Sequence, residues 1–147
     1  MKTERFLSIA EAAERSGLSP DTLRYYDRLG LLPGLSRRSG RRAFTERDLA
    51  VLSLAACLRD TGMPLKSIRD FMQASGADLA DTRLAILRNH LAAVEAQLET
   101  YRKARLRVEF KIWYYEEARR RGGIDRLPPL PDLLKQYRKE TRKSTNW

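Results

Sequence analysis

The feature that most restricts how this chain folds is a row of apolar residues in its second half. Leu84, Leu87, Leu91, Val94, Leu98, Tyr101, Val108, Ile112 and Tyr115 recur at alternating steps of three and four, with Arg105 the one charged member. Steps of three and four keep side chains on one face of an α-helix. At 1.5 Å per residue, a helix carrying the row from Leu84 to Tyr115 is roughly 48 Å long. A domain of this size cannot bury so long a stripe against itself, so the seam asks for a partner helix. The competing reading is an amphipathic helix laid over its own domain, and the strict repeat favours self-association. Parallel pairing would set Arg105 against its own copy. Antiparallel pairing separates the two arginines unless Arg105 lies at the crossing point.

Charge divides the chain into three. Residues 1–75 hold 13 basic and 9 acidic residues, 76–118 hold 7 of each, and 119–147 hold 9 and 3. The expected organisation is a nucleic-acid-binding domain over 1–75, a dimerisation helix over 76–118 and a basic C-terminal tail over 119–147. A net charge of +10 suggests a polyanionic partner, with nucleic acid ahead of a membrane surface. The uncharged run from Leu49 to Leu58 is too short to span a bilayer. Met1-Lys2-Thr3-Glu4-Arg5 mixes both signs and leads into no apolar stretch, so it is not a secretory signal. One cysteine and one histidine cannot fill a four-ligand zinc site or close an internal disulfide. The expectation is a cytoplasmic protein without metal, cofactor or membrane partner.

The first segment reads as a winged helix-turn-helix within a mainly α fold. Ser8-Ile9-Ala10-Glu11 is a capping box, and Gly17 ends the helix it opens. Ser19 caps a second helix, with Pro20 at its first position, and Gly30 stops it. Two short helices about a glycine turn form the motif that sets the second helix into a DNA major groove. Arg37, Arg38, Arg41 and Arg42 surround Gly40 between short apolar stretches, the pattern of a two-stranded wing with a basic tip. Thr45 and Asp48 box a third helix that is apolar nearly all round and should lie in the core. Pro64 opens a fourth helix. The tail, with Pro128, Pro129 and Pro131, is expected to be irregular or marginally helical.

The chemistry follows from these placements. Ser19, Thr22 and Arg24 are short or forked donors suited to base edges or phosphate, and Tyr25 has a hydroxyl for a phosphate. Tyr26, at helical spacing from Leu23, belongs to the core. The four wing arginines suit the flanking backbone or minor groove. An enzyme would need a nucleophile with a base. Cys57 and His90 are the only such pair, and no oxyanion or metal constellation accompanies them.

Arg24-Tyr25-Tyr26-Asp27-Arg28-Leu29-Gly30-Leu31-Leu32, the wing ending Gly40-Arg41-Arg42-Ala43-Phe44, and Arg59-Asp60-Thr61-Gly62-Met63-Pro64-Leu65 together resemble the MerR family of bacterial transcription regulators over residues 6–75. The helix after them resembles that family's dimerisation helix. The resemblance implies a homodimer joined by an antiparallel coiled coil and bound to a palindromic promoter. It also implies that the dimer distorts an overlong spacer so that RNA polymerase engages both promoter elements. DNA contacts would come from the second-helix start, from Arg24 and Tyr25, and from the wing. Phe44 stands where many members have Tyr, and Arg41 where many have an aromatic residue. Metal-sensing cysteines are absent from 76–84 and 112–147, and about 30 residues after the seam are too few for a drug-sized pocket. Cys57 sits where an electrophile-sensing subgroup has its cysteine, while its neighbours on its own helix face, Ser53, Leu54, Asp60 and Thr61, include no cation, as an inert packing thiol would have it. His90 reads as a polar flank of the coiled coil. Trp113, Tyr114 and Tyr115 read as packing residues. The alternative function is an effector-independent architectural or excisionase-like DNA binder, which seldom needs so long a seam.

Overall fold

The computed structural model describes residues 5–143 and 145. In order, these form α1 (Ile9–Ser16), α2 (Pro20–Arg28), β1 (Ser36–Arg38), β2 (Arg41–Ala43), α3 (Glu46–Asp60), α4 (Leu65–Gln73), α5 (Leu79–Arg121), a short 3-10 turn (Ile124–Arg126) and α6 (Leu130–Thr141). The chain divides into two compact units within α5, after His90.

In the first unit the caps form as their residues dictate. The Ser8 backbone N–H donates to Glu11 Oε2 at 2.7 Å, and the Glu11 N–H donates to Ser8 Oγ at 3.2 Å. Gly17 takes a φ of 70° and closes α1, a conformation that a Cβ would strain. Thr45 and Asp48 cap α3 in the same reciprocal way. The core is a cluster that includes Leu7, Leu23, Tyr26, Phe44, Leu52 and Ile68. Leu7 and Phe44 exchange backbone hydrogen bonds at 2.8 and 2.9 Å, which fastens the entering chain to the end of the wing. Arg15 at the end of α1 forms a two-armed ion pair with Glu46 at the start of α3.

α3 departs from its expected burial. It buries Leu52, Ala55 and Leu58, while Leu54 and Cys57 are exposed. The reason is that α3 packs on α1 and α4, which cover one side of the helix. An all-round apolar sequence therefore leaves part of its surface open.

The tail also departs from expectation. Residues Leu130–Thr141 form a helix, and Leu133 and Tyr137 are buried with Phe110 and Trp113 in a second small core. The prolines do not obstruct it. Pro128 and Pro129 precede the helix and Pro131 lies in its first turn, where no backbone donor is needed. The Trp113 indole N–H donates to Glu140 Oε2 at 2.9 Å, and the Tyr137 ring meets the Trp113 ring edge-on at 5.3 Å. Glu117, almost wholly buried, is paired by Arg120 and Arg121 on the following turn of α5.

Leu133→Ala opens a cavity in a core of few residues and should cost the second unit about 3 kcal/mol. Amide hydrogen exchange would then quicken over α6, while α1 to α4 keep their protection. The capping carboxylate of Glu11 is held below its usual value of 4.5, first by the backbone N–H of Ser8 and then by its hydroxyl. A depressed folded pKa means that this contribution is complete above about pH 4.5 and is lost as pH falls through the folded value. Glu11→Gln, which removes the titrating carboxylate, should flatten the acid limb of a stability-against-pH curve, measured by urea unfolding.

Candidate nucleic-acid interface

The N-terminus of α2 is capped by its own side chains. Ser19 Oγ accepts the Thr22 N–H at 3.1 Å and lies 2.8 Å from Thr22 Oγ1. Arg24 is half-exposed and pairs with Asp21 at 2.6 Å, an exchangeable surface contact. Tyr25 projects outward, with 44% of its surface exposed. Its neighbour Tyr26 is buried and accepts a hydrogen bond from Arg59 at 3.1 Å. Adjacent tyrosines thus do opposite jobs because successive helical positions point about 100° apart.

The wing pairs Ser36 with Ala43, Arg37 with Arg42 and Arg38 with Arg41. Ser39 and Gly40 turn it, at φ of 49° and 74°. Both central residues of a two-residue hairpin of this hand need positive φ, which Gly40 takes freely and Ser39 does not. The register sets like charges opposite one another, which by itself destabilises a hairpin. Asp27 answers this. From the last turn of α2 it accepts from Arg42 Nε at 2.7 Å and lies 3.6 Å from the Arg37 guanidinium. Arg38 instead stacks its guanidinium 3.8 Å above the Phe6 ring. Arg41 makes no ion pair among the described residues.

The four guanidiniums are therefore not equivalent. Arg42 and Arg37 are held by Asp27 of α2, Arg38 lies on Phe6, and Arg41 has no such partner among the described residues. Together, Arg24, Arg37, Arg41 and Arg42 line a concavity with Ser8, Ile9 and Ala10. Ser8 caps α1 with its N–H held by Glu11, and Ile9 and Ala10 open the helix, where the remaining first-turn N–H groups and the helix dipole favour negative charge. Sequence reasoning found the arginines and missed both Asp27 and the α1 N-terminus. Asp27 was visible as an acid within Arg-Tyr-Tyr-Asp-Arg, but its partners depend on the wing register.

These observations meet two family models. Residues 7–75 match the MerR HTH family regulatory protein, and residues 49–109 match the MerR DNA-binding region. An uncharacterised HTH-type transcriptional regulator of Haemophilus influenzae is 38% identical over 128 residues, covering 84% of this chain and 95% of that protein. The chain belongs to the MerR family. It is a DNA-binding transcription regulator of the helix-turn-helix class. Among solved structures it is similar to HiNmlR, a MerR family regulator lacking the sensor domain and bound to promoter DNA. That likeness has 36% identity and a TM-score of 0.61, over 84% of this chain and 100% of the other. A MerR family regulator from Listeria monocytogenes shares 28% identity at a TM-score of 0.64, over 92% of this chain and 98% of that one.

The remaining expected site residues of this MerR-family chain lie as follows. On α5, Leu84, Leu87, Leu91, Leu98, Tyr101, Val108, Ile112 and Tyr115 are 38–64% exposed, and Val94 is half-buried. Trp113 turns instead into the second core, and Tyr114 packs against it. Cys57 is exposed on α3. His90 is more than a polar flank, because its Nε2 lies 2.9 Å from Thr61 Oγ1 and 3.2 Å from the Thr61 carbonyl oxygen. It ties α5 to the C-cap of α3. Among the described residues no His, Cys, Asp or Glu group is placed to hold a metal, and no helix is long and apolar enough to cross a membrane.

Asp27→Asn leaves two facing arginines without their carboxylate. It should lower unfolding stability by about 1–3 kcal/mol and speed hydrogen exchange across β1 and β2. Arg41→Ala should leave urea stability within about 0.5 kcal/mol of the parent.

Proposed function

We propose that this regulator works as a homodimer on a palindromic promoter, which it distorts so that RNA polymerase engages both elements of an overlong spacer. The observation that carries the reading is the uncovered apolar face of α5 on the same chain as a braced, basic winged helix-turn-helix. Two copies joined along α5 present two recognition helices, and a two-fold protein calls for a two-fold site. Ser19, Thr22, Arg24 and Tyr25 face the bases and the backbone beside them. Arg41, with the α1 N-terminus, holds phosphate, and Arg37, Arg38 and Arg42 shape and charge the wing. HiNmlR, the DNA-bound neighbour, supports promoter DNA as the partner.

Response to electrophiles is assigned to Cys57, the chain's one thiol, because its exposure gives a reagent access. In this reading the protein acts by binding, with no cofactor and no catalytic step.

Footprinting on the promoter upstream of its own coding sequence tests the mechanism. Symmetric protection about a centre made hyper-reactive by distortion is expected. Asymmetric protection, or an unperturbed centre, would remove it. Arg41→Ala should weaken all sequences alike and reduce the salt dependence by about one counterion per half-site. Arg24→Ala should cost about 1–3 kcal/mol at the cognate site and narrow the gap to non-cognate DNA. Cys57→Ser should keep DNA affinity and lose the transcriptional response to aldehydes. An unchanged response would end the sensor role.

A further inference from the structure

The apolar seam says that α5 wants a second helix, and the charges beside the seam say where that helix must sit. The residues that immediately follow Leu87, Val94, Tyr101 and Val108 are Arg88, Glu95, Arg102 and Glu109. They form one flank of the seam, one turn-pair apart, with alternating sign. In an antiparallel coiled coil this flank meets its own copy running the other way. We propose that two copies of α5 pair antiparallel in a single register, in which Leu84 lies against Tyr115, Leu91 against Val108 and Leu98 against Tyr101 of the second copy. This rests on the dimer read above and specifies its interface.

In that register every member of the seam has a seam partner. The flank then sets Arg88 against Glu109 and Glu95 against Arg102, each twice by symmetry, and leaves one like-charge meeting, Asp81 against Glu116, beyond the outermost seam layer. The opposite flank, with His90, Gln97 and Ala104, brings no acid against acid. Arg105 faces Val94 of the second copy, with Glu95 beside it, so the one charge on the seam meets an acid at its rim.

The alternatives fail on the same residues. Slipping the pair by one heptad in one direction sets Glu95 on Glu95 and Arg88 on Arg102, and strands Ile112 and Tyr115. Slipping it the other way sets Arg102 on Arg102 and Glu95 on Glu109, and strands Leu84 and Leu87, with Arg88–Glu116 the one opposite-sign pair left. A parallel pair sets Arg105 on Arg105 and Arg83 on Arg88. Like charges at such positions act as repulsive elements that select against wrong partners.

The structure shows which pair is the sharper reporter. Glu109 is already engaged in its own chain, by Lys143 at 2.9 Å and by Arg105 at 3.7 Å. Glu95 is exposed and makes no ion pair among the described residues. Arg102 is 71% exposed in its side chain and only loosely approached by Glu99 at 3.7 Å. The Glu95–Arg102 pair is therefore free to form between copies.

Two measurements on the full chain test this. On a Cys57→Ser background, Leu91→Cys mixed with Val108→Cys should give a disulfide-linked mixed dimer on mild oxidation, while Leu91→Cys alone should not link to itself. Links of Leu91→Cys to itself, to Tyr101→Cys or to Tyr115→Cys would overturn the register and leave the dimer standing. Sedimentation equilibrium supplies the second measurement. Glu95→Arg and Arg102→Glu should each raise the dimer dissociation constant about tenfold. An equimolar mixture of the two should regain parental affinity, because the mixed dimer restores opposite signs. A mixture no tighter than either variant would overturn the pairing. Parental protein that sediments as a monomer would remove the dimer itself.

Discussion

A hairpin with four arginines around one glycine does not fold beside a helix unless its charge is answered. Asp27 supplies that answer from the last turn of α2, where it holds Arg42 and draws in Arg37. Arg38 is answered differently, by the face of Phe6. The shape of the basic surface depends on these two contacts. They let the wing stand next to α2, and they leave Arg41 as the wing arginine without an ion pair among the described residues. Affinity for a polyanion and internal stability therefore fall to different members of one cluster.

Much of this fold could be read from the amino acids. The Ser8–Glu11 and Thr45–Asp48 boxes, Gly17 as a helix stop and the Ser39–Gly40 turn are short-range devices, and such devices are decided within a few residues. What escaped depended on long-range partners. Asp27 finds Arg42 through the wing register, and His90 finds Thr61 across a separation of 29 residues. Leu54 and Cys57 looked buried because α3 is apolar all round, yet burial follows from which neighbours a helix has. α6 escaped for another reason. Three prolines read as a broken segment, whereas their positions before and inside the first turn are those a helix tolerates.

The long helix poses a separate constraint. Its apolar face is uncovered within one chain, while the opposite side near its end carries Phe110 and Trp113 into the second core. One helix therefore serves two clients at the same level of sequence, distinguished by which side chains point which way. Trp113 and Tyr115 are two residues apart, and one is buried while the other is exposed.

The folding of α6 bears on the positive surplus of the C-terminal region. A charge on a loose chain is smeared over the volume that the chain explores. A charge on a packed helix has an address. Because Leu133 and Tyr137 anchor α6 against α5, Lys135, Arg138 and Lys139 project from a packed helix at helical spacing. These three cations, set beside Asp132 and Glu140 on the same helix, are then a pattern, with spacings that an anionic surface either matches or does not.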